Sequence, residues 1–457
     1  MKNSLAIYNL RNISWLFLLL ITSLAASTNE ALAAKPNILF IVADDLGYAD
    51  TGFQGCKDIP TPNLDALAAA GVKFTNGYVS ASLCSPSRAG LMTGRYQQRF
   101  GHEHNAEGPN GLPVSEKTLA DRLKSAGYTT GLIGKWGLGT LPQYHPQKRG
   151  FDEFFGFLPA MHDFFNKKGI VRGTEQVEEL DYATDAFGRE AVSFIQKHQA
   201  KSWFLFLSFN AVHTPMQATE NRLAKFTNIK DERRRAYAAM MLALDEAVGN
   251  VRKTLKETEQ EKNTLILFIS DNGGATMQGV TVNGAINSPL RGSKRTTLEG
   301  GIRVPFVLTW AGQIKPGVYT QPVMHLDATA TALAVAGINL KPEWKLDGVN
   351  LLPYITGKNK GIPHDALYWR MGNEMAIRIG DYKLVRYDKN ADTVKFKRVD
   401  GLPPVTEAKL YHVSKDLGEL NDLAATMPGK VKELQSKWDK WNATLIKPSW
   451  GFIGGGH

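Results

Sequence analysis

Three short apolar runs constrain the fold of this chain more than any other feature. They are residues 37–43 (NILFIVA), 203–209 (WFLFLSF) and 264–270 (TLILFIS), and each has the composition of a strand buried on both faces. Helical patterns lie between them, including a long one at about 231–255. Because strands alternate with helices, the sequence predicts an α/β fold with a large, mostly parallel or mixed sheet sandwiched by helices.

Polar and charged residues come at or directly after the ends of the predicted strands. In a sheet of this kind, ligands bind beyond the carboxyl ends of the strands, so we expect these side chains to converge at one edge. Each one alone is typical of a helix cap or a turn. The residues at these positions are Asp44, Asp45, Lys135, His213, Asp271 and Asn272.

The carboxylates and the amide in this set predict a cation site. Asp44, Asp45, Asp271 and Asn272 offer oxygen ligands without a thiolate or an imidazole, which favours a hard ion over zinc. Because the ligands come from separate loops, they form a flexible oxygen cage of the kind that Ca²⁺ accepts. We therefore expect calcium rather than magnesium.

The strongest local signal is the stretch 84–95, which reads CSPSRAGLMTGR. Ser85 as N-cap and Pro86 as the first helical residue predict a helix that ends near Gly94. Cys84 then lies at a helix N-terminus, where anions are favoured. The alternative is a thiol that is buried, or one that is merely activated, since a cysteine at a helix start beside Arg88 has a lowered pKa.

With this stretch the chain resembles the type I sulfatases, which are formylglycine-dependent members of the alkaline phosphatase superfamily. The signature of that family is C-x-P-x-R followed by Thr-Gly, and residues 84–94 match it in order. The resemblance extends over most of the chain. The further matching segments are PNILFIVADDLGYAD (36–50), GKWGLG (134–139), GFDEFFGF (150–157), NAVHTP (210–215), SDNGG (270–274), LRGSKRTTLEGGIRVP (290–305), LDGVNLLPYITG (346–357) and GDYKLV (380–385).

The resemblance implies an alkaline phosphatase-like fold and a sulfuric ester hydrolase. In this family a formylglycine-generating maturation enzyme oxidises the motif cysteine, here Cys84, and the hydrated aldehyde supplies the nucleophile that attacks sulfur. A covalent step of this kind divides one difficult displacement into two easier ones.

The resemblance also assigns roles to single residues. Asp44, Asp45, Asp271 and Asn272, together with the modified Cys84, match the ligands of one calcium ion per chain. Arg88 is implied to hold the modified residue. Lys135 and Lys294 are implied to bind sulfate oxygens, and His213 to protonate the leaving oxygen with help from Lys294.

One position departs from the family pattern. Gly137 stands where the family has the histidine of G-K-W-H-L-G, and that histidine is the base for the elimination of sulfate. We expect turnover to persist with His102, His104 or His145 as the replacement, since each lies in a loop after a matched motif. The departure also leaves open a catalytically weak protein that binds sulfated glycans.

Charge and loop composition bear on the substrate. Lys and Arg number 54 against 44 Asp and Glu, a formal net charge of +10 that suits anionic polymers. Loops at 99–105 and 151–165 combine polar and aromatic residues, so we expect a sulfated carbohydrate or polysaccharide. An aryl sulfate and a phosphodiester or phosphonate stay open as alternatives. The sequence shows no nucleic-acid-binding motif, and its two cysteines exclude a disulfide framework.

The two ends of the chain differ from its middle. Residues 1–33 have a positive start, an apolar stretch and the cleavage pattern Ala31-Leu32-Ala33, which predict a signal peptide and an exported protein without a stable membrane anchor. Residues 34–360 are expected to form the catalytic domain. Residues 361–457 contain short alternating runs and a final helix, which predict a smaller subdomain with an antiparallel sheet. The sequence does not specify an oligomeric state.

Overall fold

The computed structural model describes residues 35–277, 282–391 and 404–451. The predicted signal peptide, residues 1–33, lies outside the described residues. Within the three described ranges, none of the helices is both long and apolar enough to cross a membrane. The predicted domain boundary at residue 360 stays a prediction.

In the described part of the chain, a mixed sheet of ten strands forms the centre of the fold. Its strands, with two short ones that pair beside it, are β1 (Asn37–Ala43), β2 (Val72–Phe74), β3 (Gly77–Tyr78), β4 (Thr129–Lys135), β5 (Glu153–Phe157), β6 (Val171–Arg172), β7 (Glu175–Gln176), β8 (Trp203–Ser208), β9 (Thr264–Ser270), β10 (Phe306–Thr309), β11 (Gly317–Tyr319) and β12 (Val323–Met324). The strand order in the large sheet is β11-β2-β10-β9-β1-β8-β4-β5-β6-β7, and β3 pairs with β12. The three apolar runs lie side by side as β9, β1 and β8, paired in parallel.

Helices cover both faces of this sheet. They are α1 (Pro62–Ala69), α2 (Cys84–Thr93), α3 (Leu119–Ser125), α4 (Ala183–Lys197), α5 (Glu220–Leu223), α6 (Glu232–Glu257), α7 (Glu299–Ile302), α8 (Leu326–Val335) and α9 (Leu352–Ile355). Side chains of β1 alternate between the faces, as strand geometry requires. Phe40 packs in the core that contains α2 and α8, while Ile41 packs in the core that contains α4 and α6. The predicted α/β sandwich is confirmed.

The C-terminal part forms the predicted smaller sheet and helix. Strands β13 (Leu367–Met371), β14 (Glu374–Ile379), β15 (Tyr382–Arg386) and β16 (Lys409–His412) pair antiparallel in chain order, and helix α10 (Pro428–Asn442) follows. Leu434 of α10 packs on Ile377 and Leu384 of the sheet. Its other face, with Trp369 and Val385, packs in the large core that also contains Phe40, so both faces of this sheet are covered.

One helix begins later than its sequence pattern indicates. The pattern at 115–127 predicts a start near Ser115, whereas α3 begins at Leu119. Thr118 caps it through a reciprocal capping box, in which the Thr118 hydroxyl accepts from the Asp121 N–H and the Asp121 carboxylate accepts from the Thr118 N–H.

Candidate active site

The carboxyl ends of the central strands place the predicted polar residues together. Asp44 and Asp45 follow β1, and Asp271 and Asn272 follow the adjacent β9 at the same level, because Ala43 pairs with Ser270 in the ladder. Lys135 is the last residue of β4. All of these side chains are buried. The structure therefore brings residues from distant parts of the sequence to one edge of the sheet, as the strand pattern predicts.

The backbone around Asp45 is held in an unusual conformation. Asp45 has a φ of 59°, in the left-handed region that few residues other than glycine, asparagine and aspartate adopt. Its N–H donates to Asp271 Oδ1 at 3.2 Å, and its carbonyl accepts from Asn283 Nδ2 at 3.0 Å. Asn283 also donates to the carbonyl of Val212 at 2.8 Å, so it connects the Asp45 turn to the loop that carries His213.

Cys84 lies among these carboxylates. Its Sγ is 3.5 Å from Asp44 Oδ1 and 3.9 Å from Asp45 Oδ1, and the side chain is buried. Burial raises the pKa of the Cys84 thiol to about 12, despite the nearby Lys135 and Lys294. The expectation of an activated thiol with a lowered pKa is therefore wrong, and at neutral pH the sulfur is protonated.

The predicted N-cap of the Cys84 helix is also wrong. Helix α2 begins at Cys84 itself, its N-cap is Leu83, and no side chain caps it. Ser85 lies within the first turn, and its hydroxyl contacts His102 Nε2 at 2.7 Å instead. Cys84 is still at the helix N-terminus, so the prediction of its location is correct.

The side chain of Arg88 lies among the carboxylates of the site and is almost fully buried. Its Nε donates to Asp271 Oδ2 at 2.9 Å, and its Nη1 donates to the Ser208 hydroxyl at 2.5 Å. Its Nη2 is 4.0 Å from Asp44 Oδ2. Burial disfavours the guanidinium charge, but the two carboxylates outweigh burial and raise the pKa of Arg88.

Two lysines each pair with one of the adjacent aspartates. Lys135 Nζ is 2.5 Å from Asp44 Oδ2, and Lys294 Nζ is 2.8 Å from Asp45 Oδ2. Burial alone would raise the pKa of both carboxyls, but the lysines and His213 outweigh it and hold the pKa of Asp44 and of Asp45 below the ordinary value. Both aspartates are therefore ionised at neutral pH.

His213 faces the same carboxylates. Its Nδ1 is 2.7 Å from the Thr214 carbonyl, and its Nε2 is 3.5 Å from Asp45 Oδ2. Because the carbonyl can only accept, Nδ1 carries a hydrogen and Nε2 is the atom that gains or loses the second proton. Burial, with a contribution from Lys294, lowers the pKa of His213.

Several buried donor atoms lie close enough together to hold a metal ion. Ligand atoms of Asp44, Asp45, Cys84 and His213 lie within 4.8 Å of one another. Asn272 donates its Nδ2 to Asp45 Oδ1 at 2.7 Å, while its buried Oδ1 has no hydrogen-bond partner among the described residues. A buried oxygen of this kind beside two ionised carboxylates is suited to a cation. The oxygens of Asp271 are occupied by Arg88 and by the Asp45 N–H.

Gly137, which replaces the expected histidine, lies beside this cluster. It has a φ of 72°, and a Cβ built on it would lie 3.4 Å from Lys135 Cε and 3.7 Å from Arg88 Cδ. A side chain at this position would therefore face the two basic residues of the site, but in a backbone conformation that favours glycine.

Two of the three histidines considered as replacements differ sharply in their surroundings. His102 is buried, its Nδ1 lacks a hydrogen-bond partner in the described part of the chain, and its ring packs edge-on against Trp450 at 4.6 Å. Burial lowers the pKa of His102 to about 3. His145 uses both ring nitrogens on the backbone, at Gly173 and Gln147. Among the described residues, its hydrogen-bond and ring contacts do not include the cluster.

Sequence reasoning missed several residues that support the site. The Ser208 hydroxyl accepts a hydrogen bond from Arg88 and donates one to the Lys135 carbonyl at 2.6 Å. In the sequence, the feature that could have indicated this role is a single hydroxyl residue near the end of an apolar run. Asn283 belongs to none of the matched motifs, so the sequence offers no comparable indication for it. Of the aromatic residues at 151–165, Phe154 and Phe164 are core, whereas Phe165 is 44% exposed.

The fold and the site agree with two family models. Residues 36–338 match the model described as Sulfatase, and residues 292–440 match N-sulphoglucosamine sulphohydrolase, C-terminal. The chain belongs to the sulfatase family and is a sulfuric ester hydrolase. The predicted family is thereby confirmed.

Individual relatives are similar over most of their length. The chain is 32% identical to N-acetylgalactosamine-6-sulfatase of Mus musculus, covering 88% of this chain and 84% of the relative. It is 33% identical to arylsulfatase A of Bos taurus, covering 93% and 91%. The crystal structure of Ps i-CgsB in complex with k-i-k-neocarrahexaose superposes with a TM-score of 0.82 at 36% identity, covering 92% of this chain and 95% of the other.

Proposed function

We propose that this sulfatase removes sulfate esters from a carbohydrate or polysaccharide, with a formylglycine derived from Cys84 and one calcium ion. The observation that carries the proposal is the position of Cys84, buried between Asp44 and Asp45 with a thiol that is protonated at neutral pH. An unmodified thiol in that state is a poor nucleophile. The oligosaccharide complex of Ps i-CgsB supports a carbohydrate substrate.

The proposed groups supply chemistry that the side chains lack. When present, an aldehyde hydrate at position 84 provides a nucleophile, and a bound cation withdraws negative charge from the sulfate oxygens. Asp44, Asp45, Asp271 and Asn272 would hold the cation. Calcium rather than magnesium fits the loops that carry these ligands.

The charged side chains bind and orient the sulfate group. Lys135 and Lys294 each have an ammonium group within 2.8 Å of a carboxylate, so both are available to sulfate once a cation neutralises Asp44 and Asp45. Arg88 is fixed by Asp271 and Ser208, and from this position it would hold the modified residue 84. Such fixed charges in a buried site stabilise developing negative charge without reorganisation.

His213 donates the proton to the leaving oxygen. Its Nε2 is the exchangeable position, and Lys294 contacts the same carboxylate, so the two groups approach the site from one side. Burial and Lys294 lower the pKa of His213, so its protonated form gives up the Nε2 proton more readily, while a smaller fraction of the ring is protonated at neutral pH. Loss of the leaving-group proton donor would affect poor leaving groups such as sugars more than aryl alcohols.

Because residue 137 is glycine, a histidine elsewhere in the chain is proposed to complete the cycle. His102 contacts Ser85, the neighbour of Cys84, but burial lowers its pKa to about 3 and so makes it a weak base. Alanine substitution of His102, His104 and His145 in turn, followed by single-turnover and steady-state assays, tests this. We expect one variant to slow the second step selectively, and three variants without such an effect would overturn the assignment.

The test of the proposed function starts with the mass of the chain. Protein made with its maturation system is expected to show Cys84 with sulfur and two hydrogens replaced by one oxygen, and C84A serves as the matched inactive control. The enzyme is then assayed on sulfated oligosaccharides, a chromogenic aryl sulfate and a phosphodiester, with and without Ca²⁺. Preference for the aryl sulfate or the phosphodiester, or an unmodified thiol with glycan binding alone, would contradict the proposal.

We further propose that the enzyme acts outside the cytoplasm, on the basis of the signal-peptide pattern at residues 1–33. N-terminal sequencing of protein recovered from the exported fraction is expected to begin after Ala33 or close to it. Recovery of the full chain from the cytoplasm would contradict this location.

A further inference from the structure

The segment that carries Lys294 is held by the C-terminal sheet. We call residues 291–299 the Lys294 loop. On one side of Lys294, Arg291 donates from Nη1 to the Glu419 carbonyl at 2.8 Å and from Nη2 to the Tyr387 hydroxyl at 2.9 Å. Both partners lie beyond residue 360, whereas the loop belongs to the catalytic region.

On the other side of Lys294 the contacts are to carboxylates. The Thr297 N–H and hydroxyl both donate to Glu374 Oε2, at 2.9 and 3.0 Å. The Glu299 N–H donates to Glu419 Oε2 at 2.7 Å. Glu374 and Glu419 are both buried, so these hydrogen bonds are protected from water and constrain the loop more than exposed ones would.

A buried lysine of the C-terminal sheet forms ion pairs with Glu299, at the end of the Lys294 loop, and with Glu419. Lys383 Nζ on β15 lies 3.0 Å from both Glu299 Oε1 and Glu419 Oε1, and all three side chains are fully buried. Separating a buried charge from its partner is costly, so the group holds together as a unit. The loop cannot shift without disturbing the C-terminal sheet.

The loop also depends on outside contacts because its own backbone is strained. Arg295, directly after Lys294, has a φ of 75° in the left-handed region. Its N–H donates to the Ser82 carbonyl at 2.8 Å, and the Lys294 N–H donates to the Gly274 carbonyl at 3.2 Å. A strained conformation persists only when the surrounding structure holds it.

We propose that Glu374 is a positioning residue for Lys294, acting through Thr297, so that the C-terminal sheet sets where the Lys294 ammonium meets the sulfate group. This inference rests on the proposed role of Lys294 in the reaction. Glu374 itself is not expected to touch substrate. Its contribution is to fix the loop that presents Lys294 Nζ beside Asp45.

The test compares E374M with E374Q in the full, matured enzyme. Methionine keeps the length of the side chain but offers no strong acceptor to Thr297, whereas glutamine keeps a carbonyl oxygen. Burial raises the pKa of Glu374 to about 8, so glutamine also resembles its neutral form near pH 7. We expect E374M to lower kcat/KM by about 10- to 100-fold, since a displacement of about 1 Å can cost about 100-fold. E374Q should remain close to the unaltered enzyme.

A double-mutant comparison separates positioning from general stability. In the K294A background, E374M is expected to cause no further loss, because the group that it positions is absent. An equal loss with and without Lys294, or full activity of E374M, would overturn the inference. If E374M does not fold, T297V with T297S as its matched control carries the same comparison, because only valine removes the hydroxyl.

The same assays distinguish this inference from the proposed function. If the unaltered, matured protein hydrolyses none of the sulfate esters, both proposals fall. If it hydrolyses a sulfated sugar while E374M matches it, the proposed function stands and only the positioning role of Glu374 fails.

Discussion

Replacing Lys135 by methionine should expose the competition between this lysine and a cation for Asp44. Lys135 Nζ and Asp44 Oδ2 are 2.5 Å apart, and both side chains are fully buried. Removing one partner of a buried ion pair costs about 3–5 kcal/mol. Arg88 Nη2, at 4.0 Å from the same oxygen, offsets part of this, so in chelator we expect K135M to lower the free energy of unfolding by about 3 kcal/mol.

Calcium should reverse much of that loss. In K135M the Asp44 carboxylate is left without its lysine, so a cation no longer has to displace an ammonium group in order to bind. A ligand at about 100 times its Kd stabilises the folded state by about 2.7 kcal/mol. We therefore expect Ca²⁺ to raise the free energy of unfolding of K135M by more than that of the unaltered protein, and to bind the variant more tightly.

Urea denaturation in EDTA and across a Ca²⁺ titration measures both effects. K124M is the matched control, because Lys124 pairs with Asp152 at 2.7 Å but the pair is 49% and 34% exposed. A surface pair of this kind is worth about 0–1 kcal/mol. The reasoning is refuted if K135M and K124M lose the same stability in EDTA, or if Ca²⁺ stabilises K135M and the unaltered protein equally.

Three further outcomes are expected. Gly137 has a φ of 72°, so G137A should lower the free energy of unfolding, measured in urea, by about 1–2 kcal/mol. For the same reason, G137H should not raise turnover. Unchanged stability of G137A would contradict the argument from backbone conformation. Burial lowers the pKa of His325 from 6.5 to about 4. Between these two values the unfolded chain binds a proton that the folded chain does not, so the free energy of unfolding falls as the pH drops below 6.5. H325Q should flatten this slope by up to about 1.4 kcal/mol per pH unit, and an unchanged slope between pH 7 and 5 would count against it. T118A should cost about 1 kcal/mol in thermal unfolding, through loss of the capping box, whereas T118S should not.

The strands that form the centre of the sheet could be predicted almost to the residue. Asn37–Ala43 and Thr264–Ser270 have the bounds that their apolar runs indicate, because the interior of a strand buried on both faces is apolar. Short outer strands such as Val171–Arg172 could not be predicted, since two residues carry no periodic signal and pair only because a neighbour is present.

The Cys84 helix shows where local pattern misleads. Ser85 has the residue type and the spacing of an N-cap, yet its hydroxyl contacts His102, which lies 17 positions further along the chain. The thiol pKa has a similar origin. A helix N-terminus and Arg88 favour a thiolate, but burial from all sides disfavours the charge by more, and burial is a property of the whole fold.

By itself, the sequence determined the order of strands and helices, the polar residues at the strand ends and the sulfatase motif around Cys84. These features depend on contacts within one element, so they leave a local pattern. Only the tertiary structure decided that Lys135 pairs with Asp44 and Lys294 with Asp45, and that Glu374 holds the loop of Lys294. Those pairs join residues that lie 91, 249 and 77 positions apart, and chain folding brings them together through the packing of separate elements.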